Sequence, residues 1–126
     1  MTEGAAGFDL YAAEPVDVPA GETVLIPLGI AVAIPVGYEM QIRPRSGMSF
    51  KTKIRVANAP GTIDSDFRGE IKVIVDNIGG EFFRVFKGER IAQGVIAAVE
   101  RAEFEIVDDL DDTERGQGGF GHTGTN

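Results

Sequence analysis

Glycine and proline break this chain into short pieces, 17 and 6 of them respectively among 126 residues. They recur roughly every 8–12 residues, the spacing of turns between strands in an all-β domain. Between them apolar residues return with period two, as in Val24, Ile26, Leu28 and again in Ile71, Val73, Val75. A strand sends alternate side chains to opposite faces, so this pattern predicts strands with one buried face. Turn signals at Pro19-Ala-Gly21, Pro35-Val-Gly37, Pro60-Gly61, Gly79-Gly80 and Lys87-Gly88 leave strands expected near 23–27, 29–34, 38–44, 53–58, 70–77, 81–86 and 90–99. A 3.6-residue period is absent; only Ser46–Lys51 fits a short turn of helix. The expected class is all-β, a sandwich or barrel with antiparallel pairings, in a single domain.

Composition narrows the function. Hydrophobic content of 43% and charged content of 25% are ordinary for a globular protein, and no apolar run reaches the roughly 20 residues of a membrane span. The N-terminus carries no basic segment followed by an apolar stretch, and the chain has no cysteine, so a cytoplasmic setting is the default expectation. A net charge of −8 argues against non-specific nucleic-acid binding, which is driven by many phosphate-facing cations. An anionic ligand must therefore be caught locally. Acid crowds Asp108, Asp109, Asp111, Asp112 and Glu114. Base crowds Arg43, Arg45, Lys51, Lys53 and Arg55, where a phosphate site is expected unless these charges only protect a strand edge.

The tail Arg115-Gly-Gln-Gly-Gly-Phe-Gly-His-Thr-Gly-Thr-Asn126 has one cation, one ring, five glycines and no apolar face. It cannot fold alone. It can order over a ligand that supplies an anion for Arg115, a flat ring for Phe120 and acceptors for exposed backbone N–H groups, which describes a nucleotide. The alternative is a disordered terminus. Residues 1–107 are read as the body and 108–126 as a flexible arm.

Two internal segments offer chemistry. Ala57-Asn-Ala-Pro-Gly-Thr-Ile-Asp-Ser-Asp-Phe-Arg-Gly-Glu70 is expected to project from a hairpin, with Asp64 set against a partly dry wall by Ile63 and so able to act as a base. Taken alone, Asp64-Ser65-Asp66 reads as turn chemistry before it reads as a base. Arg43-Pro-Arg-Ser-Gly-Met48 brings guanidinium, hydroxyl and a glycine that lets backbone approach an anion.

Taken in order, Ala6-Gly-Phe-Asp-Leu-Tyr11, Arg43-Pro-Arg-Ser-Gly47, Gly61-Thr-Ile-Asp-Ser-Asp-Phe-Arg-Gly-Glu70, Gly88-Glu-Arg-Ile-Ala-Gln93 and Arg115-Gly-Gln-Gly-Gly-Phe-Gly121 resemble the five motifs of the homotrimeric dUTP pyrophosphatases (dUTPases). The resemblance spans nearly the whole chain. It implies a jelly-roll-like β-fold, a homotrimer with shared active sites, Mg²⁺, and hydrolysis of dUTP to dUMP and pyrophosphate. That reaction keeps uracil out of DNA and supplies dUMP for thymidylate synthesis.

Position by position, the resemblance makes Asp64 the carboxylate that orients and deprotonates the water attacking the α-phosphorus. Asn58, with main chain around Thr62, Ile63 and Lys72, matches the slot that reads the uracil edge, and such a slot rejects cytosine by meeting its amino group with donors. Phe67 matches the ring that packs on deoxyribose and excludes a 2′-hydroxyl. Arg45, Ser46 and Gly47 match the phosphate-binding turn, Gln93 an α-phosphate contact, and Asp9 the acid that holds Mg²⁺ through water. The arm brings Arg115 to the γ-phosphate, and Phe120 with Gly121 over the uracil. Phosphoryl transfer needs positioning and charge neutralisation of this kind more than covalent chemistry.

Four departures stand out. Phe67 replaces the family's usual tyrosine and loses a hydroxyl. Gly94 replaces an apolar residue, which forfeits about 1.5–3 kcal/mol of burial and predicts that leucine there would stabilise the strand. His122 replaces serine and is expected to be a solvated tail residue. Met1-Thr-Glu-Gly-Ala-Ala6 starts almost on the first motif, where relatives carry another strand. The nearest rival, dCTP deaminase, needs a glutamate three residues before an asparagine; measured back from Asn77 that place holds Ile74, which moves no proton. A catalytically silent nucleotide-responsive protein is the other rival, and the presence of Asp64, Ser46, Gln93 and the arm argues against it.

Overall fold

The computed structural model describes residues 2–121. Nine strands and one short helix run in the order β1 (Phe8–Tyr11), β2 (Val16–Val18), β3 (Thr23–Pro27), β4 (Tyr38–Arg43), α1 (Ser46–Lys51), β5 (Ile54–Val56), β6 (Gly61–Ile63), β7 (Lys72–Asn77), β8 (Phe83–Val85) and β9 (Arg90–Ala98). They make a four-stranded sheet β1-β9-β4-β6, a three-stranded sheet β3-β7-β5 and a two-stranded ribbon β2-β8. Every pairing is antiparallel. The protein is all-β, with the layered arrangement of a jelly-roll-like fold.

Alternation does what the sequence pattern predicts. In β7 the side chains of Val73, Val75 and Asn77 are buried while those between them are not. In β4 Met40 and Ile42 point inward. These residues meet Leu10, Val18, Ile26, Ile54, Val85 and Ile91 in one apolar core. The longest strand, β9, pairs with β1 on one side and β4 on the other. Asn77 is the single polar residue among the buried side chains of the described residues. Its amide donates to the carbonyls of Val18 (3.0 Å) and Glu81 (2.7 Å) and accepts from the N–H of Gly79 (2.9 Å). All three capacities are met locally, which removes the cost of burying an amide.

Two expectations change. Residues 29–34 form no strand: Gly29 has φ of 68° and turns the chain after β3, although Ile71 still exchanges backbone hydrogen bonds with Leu28 and Ile30. Residues 8–11, 16–18 and 61–63 are strands that the turn pattern left unassigned, each too short to show a convincing alternation. The segment 57–70 joins an antiparallel pair as expected, since β5 and β7 on either side of it are hydrogen-bonded to each other, and within it β6 reaches across to pair with β4 in the other sheet.

Gly94 is corrected as well. It lies opposite Phe8 in the β1–β9 pair, and a Cβ added to it would stand 2.6 Å from two ring carbons of Phe8 and 3.3 Å from the Met40 sulfur. The apolar surface that glycine lacks is supplied by the ring across the ladder. Leucine has no room there while Phe8 keeps its place.

Beyond Ala98 no strand occurs among the described residues, and Phe104, Ile106 and Leu110 are each more than four-fifths exposed.

Candidate active site

The residues expected to meet phosphate assemble at one end of the four-stranded sheet. Asp9 on β1 pairs with Gln93 on β9, and Gln93 pairs in turn with Arg43 on β4, so the three lie in one row across the strands. The chain leaves β4 through Pro44 into the turn Arg45-Ser46-Gly47 that opens α1. The Gln93 amide donates to the Pro44 carbonyl at 3.0 Å and so ties β9 to that turn. Gly7 lies against the other end of this amide: a Cβ at Gly7 would sit 2.6 Å from the Gln93 Oε1. Any side chain there would displace Gln93.

Arg45 is held rather than free. Its Nε donates to Asp9 Oδ1 at 3.2 Å, and its Nη1 reaches the Arg90 carbonyl at 3.4 Å. Asp9 also receives Arg90 Nη1 on Oδ2 at 3.5 Å. One carboxylate thus aligns two guanidinium groups, each with N–H groups left over for an anion. Ser46 is exposed. At Gly47 an added Cβ would meet nothing within 4 Å, so the turn presents open space to a ligand.

The residues expected to read the base follow along β6, with Ala59 and Pro60 sharing a cavity with Arg43, Pro44 and Gln93. Thr62 and Ile63 lie on β6, paired with Gln41 and Met40, and Asn58 packs beside Gly61, whose added Cβ would lie 3.4 Å from the Asn58 amide nitrogen. Asp64 follows β6 directly and is exposed; the dry wall expected from Ile63 is not provided within one chain. Its carbonyl accepts from the Phe67 N–H at 3.2 Å and closes a turn. The Phe67 ring, 42% exposed, lies over Gly69, where an added Cβ would come within 2.7 Å of the ring tip. Glycine lets the aromatic ring lie flat on the backbone. Lys72 starts β7 opposite Pro27.

Register sets Asp64 back from the turn. Ile63 pairs with Met40, three positions before Arg43 at the end of β4, so Asp64, the next residue, stands at least roughly 10 Å along the strand from that end at ~3.3 Å per residue.

The arm stays off the body. Arg115 Nε donates to the Gly118 carbonyl at 2.6 Å, and the Gly118 N–H donates back to the Arg115 carbonyl at 3.1 Å. Thr113 Oγ1 accepts from the Gly116 N–H at 3.0 Å. Phe120 is fully exposed, with φ of 52°, and Gly121 follows with φ of 85°. His122 lies outside the described residues.

The dUTPase family model matches residues 1–124. The chain belongs to the dUTPase family. A deoxyuridine 5′-triphosphate nucleotidohydrolase from Nautilia profundicola is 58% identical over 124 residues, covering 98% of this chain and 87% of its own. Among solved structures, the Staphylococcus bacteriophage 80alpha dUTPase with dUpNHpp superposes with a TM-score of 0.91 at 29% identity, covering 99% of this chain and 89% of that one. A mutant dUTPase from phage phi11 of S. aureus, whose structure concerns coordination of a structural Mg(II) ion, gives a TM-score of 0.80 at 25% identity over 86% of this chain and 87% of its own. The phosphate-side turn of this dUTPase was legible as a motif, but Arg90 was not singled out. Only its place beside Asp9 reveals it.

Proposed function

We propose that this dUTPase converts dUTP and water to dUMP and pyrophosphate at sites built jointly by the subunits of a homotrimer. The observation that carries the reading is that Asp9, Gln93 and the Arg45-Ser46-Gly47 turn gather at the Arg43 end of β4, whereas Asp64 stands exposed beyond Ile63, at least three strand positions away. A neighbouring subunit that sets its Asp64 beside this chain's Arg45 completes a site that neither holds alone. Phe104, Ile106 and Leu110, each more than four-fifths exposed beyond the last strand, are large apolar side chains that a neighbouring subunit would cover.

In such a site the main chain of Thr62 and Ile63, with Asn58 and Lys72, reads the uracil edge, while Phe67 closes the space that a 2′-hydroxyl needs. Arg45, Ser46, Gly47 and Gln93 hold the phosphates in line. Asp64 takes a proton from water as its oxygen bonds to the α-phosphorus, and the bond from that phosphorus to the α–β bridging oxygen breaks to release pyrophosphate. For the arm to close, Arg115 exchanges its Gly118 carbonyl for the γ-phosphate, and Phe120 with Gly121 covers the uracil and excludes water.

The donor set suits Mg²⁺ that arrives on the triphosphate. The described residues contain no cluster of three His, Cys, Asp or Glu side chains, whereas magnesium commonly keeps several waters and takes its other ligands from phosphates. Asp9, about one-third exposed beside Arg45, has oxygens able to accept from a metal-bound water. Held there, Mg²⁺ would supply positive charge to offset the phosphates. We place the activity in the cytoplasm, in keeping with a cysteine-free chain; no helix among the described residues is long and apolar enough to cross a membrane. Release of pyrophosphate from dUTP but not from UTP, dCTP or dTTP tests the activity. Mass measurement in solution tests the trimer; a monomer active at every concentration would exclude shared sites.

A further inference from the structure

Residues 66–70 carry no buried side chain, although Ile71 directly after them is fully buried. The core does not shape such a stretch, so its form rests on polar links. At its far end the Glu70 carboxylate accepts from the Gly29 N–H at 3.1 Å, and the Ile71 N–H donates to the Ile30 carbonyl at 2.9 Å. At its near end the Phe67 N–H donates to the Asp64 carbonyl at 3.2 Å. Arg68 supplies the link between them: a single nitrogen, Nη1, donates to the Ser65 carbonyl at 2.6 Å and to the Phe67 carbonyl at 3.1 Å. Asp64, Asp66 and Glu70 are all close to it in sequence, yet among the described residues Arg68 forms no ion pair. Its guanidinium is spent on main-chain acceptors, and the Asp64 carboxylate is left without a cation.

An arginine that bridges two carbonyls of one turn fixes the peptide groups that follow Ser65 and Phe67, and with them the backbone from which the Phe67 ring projects. Gly69 sets the limit on the other side, because the ring tip lies 2.7 Å from the place its Cβ would take. We infer that Arg68 is a positioning residue for sugar selection: through the Ser65 and Phe67 carbonyls it keeps the ring where it closes off the space of a 2′-hydroxyl. The inference rests on reading Phe67 as the sugar wall of a dUTP-hydrolysing enzyme. A ring on an exposed turn rejects one hydroxyl only while its backbone cannot give way, since a displacement of about 1 Å is enough to change how a site treats its substrate. Burial does not supply that rigidity here; the guanidinium does.

Calorimetric titration of the full-length protein with dUMP and with UMP tests this without relying on turnover. Arg68→Gln is expected to lower the preference for dUMP over UMP about tenfold, the lower end of what pocket shape contributes to discrimination, chiefly by admitting UMP. Arg68→Lys keeps a cation with donors for a carbonyl and should retain most of the preference. In kinetics the dUTP to UTP ratio of kcat/KM should fall by the same factor in the glutamine variant, while its melting temperature stays close to the parent's, because the side chain is exposed. Phe67→Ala removes the ring through which Arg68 acts, so adding Arg68→Gln to it should leave the preference where Phe67→Ala alone puts it. Hydrogen exchange at the Phe67 amide, which closes the turn, should quicken about tenfold in Arg68→Gln. An unchanged preference in Arg68→Gln would overturn the inference. So would an equal loss of affinity for both nucleotides, the mark of a direct phosphate contact, or a further loss of preference on top of Phe67→Ala. A parent that binds dUMP and UMP alike, with exchange at Phe67 still quickened by Arg68→Gln, would overturn the reading of Phe67 as a sugar wall while leaving the hold of Arg68 on the turn standing.

Discussion

The ring of Phe8 lies on Gly94 directly across the β1–β9 ladder, two ring carbons standing 2.6 Å from the place a Cβ would occupy. Each residue is the reason for the other: the glycine makes a bed for the ring, and the ring covers backbone that a glycine leaves bare. Filling this position is therefore destabilising, the reverse of what strand propensity suggests. Gly94→Leu should cost about 1–3 kcal/mol, the usual range for overpacking, and lower the melting temperature by several degrees. Thermal melts of Gly94→Leu, Phe8→Ala and the double variant check it. If the leucine costs as much with alanine at position 8 as with phenylalanine, the clash is not the cause.

Asn77 gives a second stability test. Replacing it by alanine strands the carbonyls of Val18 and Glu81 and the N–H of Gly79 in or near the core, and should cost about 2–4 kcal/mol by denaturant unfolding, since each buried group left unpaired costs roughly 1–3 kcal/mol before relaxation. A loss under half of the lower figure would mean that water replaces the amide.

For the reaction, Asp64→Asn keeps shape but accepts no proton. Turnover of dUTP should fall about 10²–10⁴-fold, the span for a general base, with binding of a non-hydrolysable dUTP analogue little changed. Turnover within a few fold of the parent would return Asp64 to the role of a turn residue, which its hydrogen bond from Phe67 already gives its backbone.

Sugar choice is a matter of shape at Phe67. Phe67→Ala should raise activity on UTP relative to dUTP, and Phe67→Tyr should preserve the ratio while tightening binding by about 0.5–1.5 kcal/mol if the hydroxyl finds a partner. The ratio of kcat/KM for the two nucleotides reads this directly. No change in the alanine variant would exclude a steric wall.

Shared sites predict complementation. A chain ending at Leu110 lacks Arg115 and Phe120 and should be nearly inactive, as should Asp64→Asn. Mixed trimers of the two should recover part of the activity, because some sites then draw their carboxylate and their arm from different subunits. Pyrophosphate release after subunit exchange, with exchange verified by mass, decides it; a mixture no more active than its parts would place base and arm on the same subunit.

What the sequence determined alone was periodic or contiguous. Period two with glycine and proline at the turns set the all-β class, because alternation is a property of the extended backbone itself. The phosphate turn at Arg45-Ser46-Gly47 and the ring and cation of the arm were legible because the chemistry lies within a few residues. Tertiary structure decided what depends on register between distant strands. It sent β6, inside the connection between the paired strands β5 and β7, across to β4 in the other sheet. It turned Gly94 from a defect into a seat for Phe8 and brought Arg90 to Asp9, with Lys51 lining the same cavity as Arg90. None of these follows from local pattern, because a strand's residues announce which face is buried but not which strand will lie beside them.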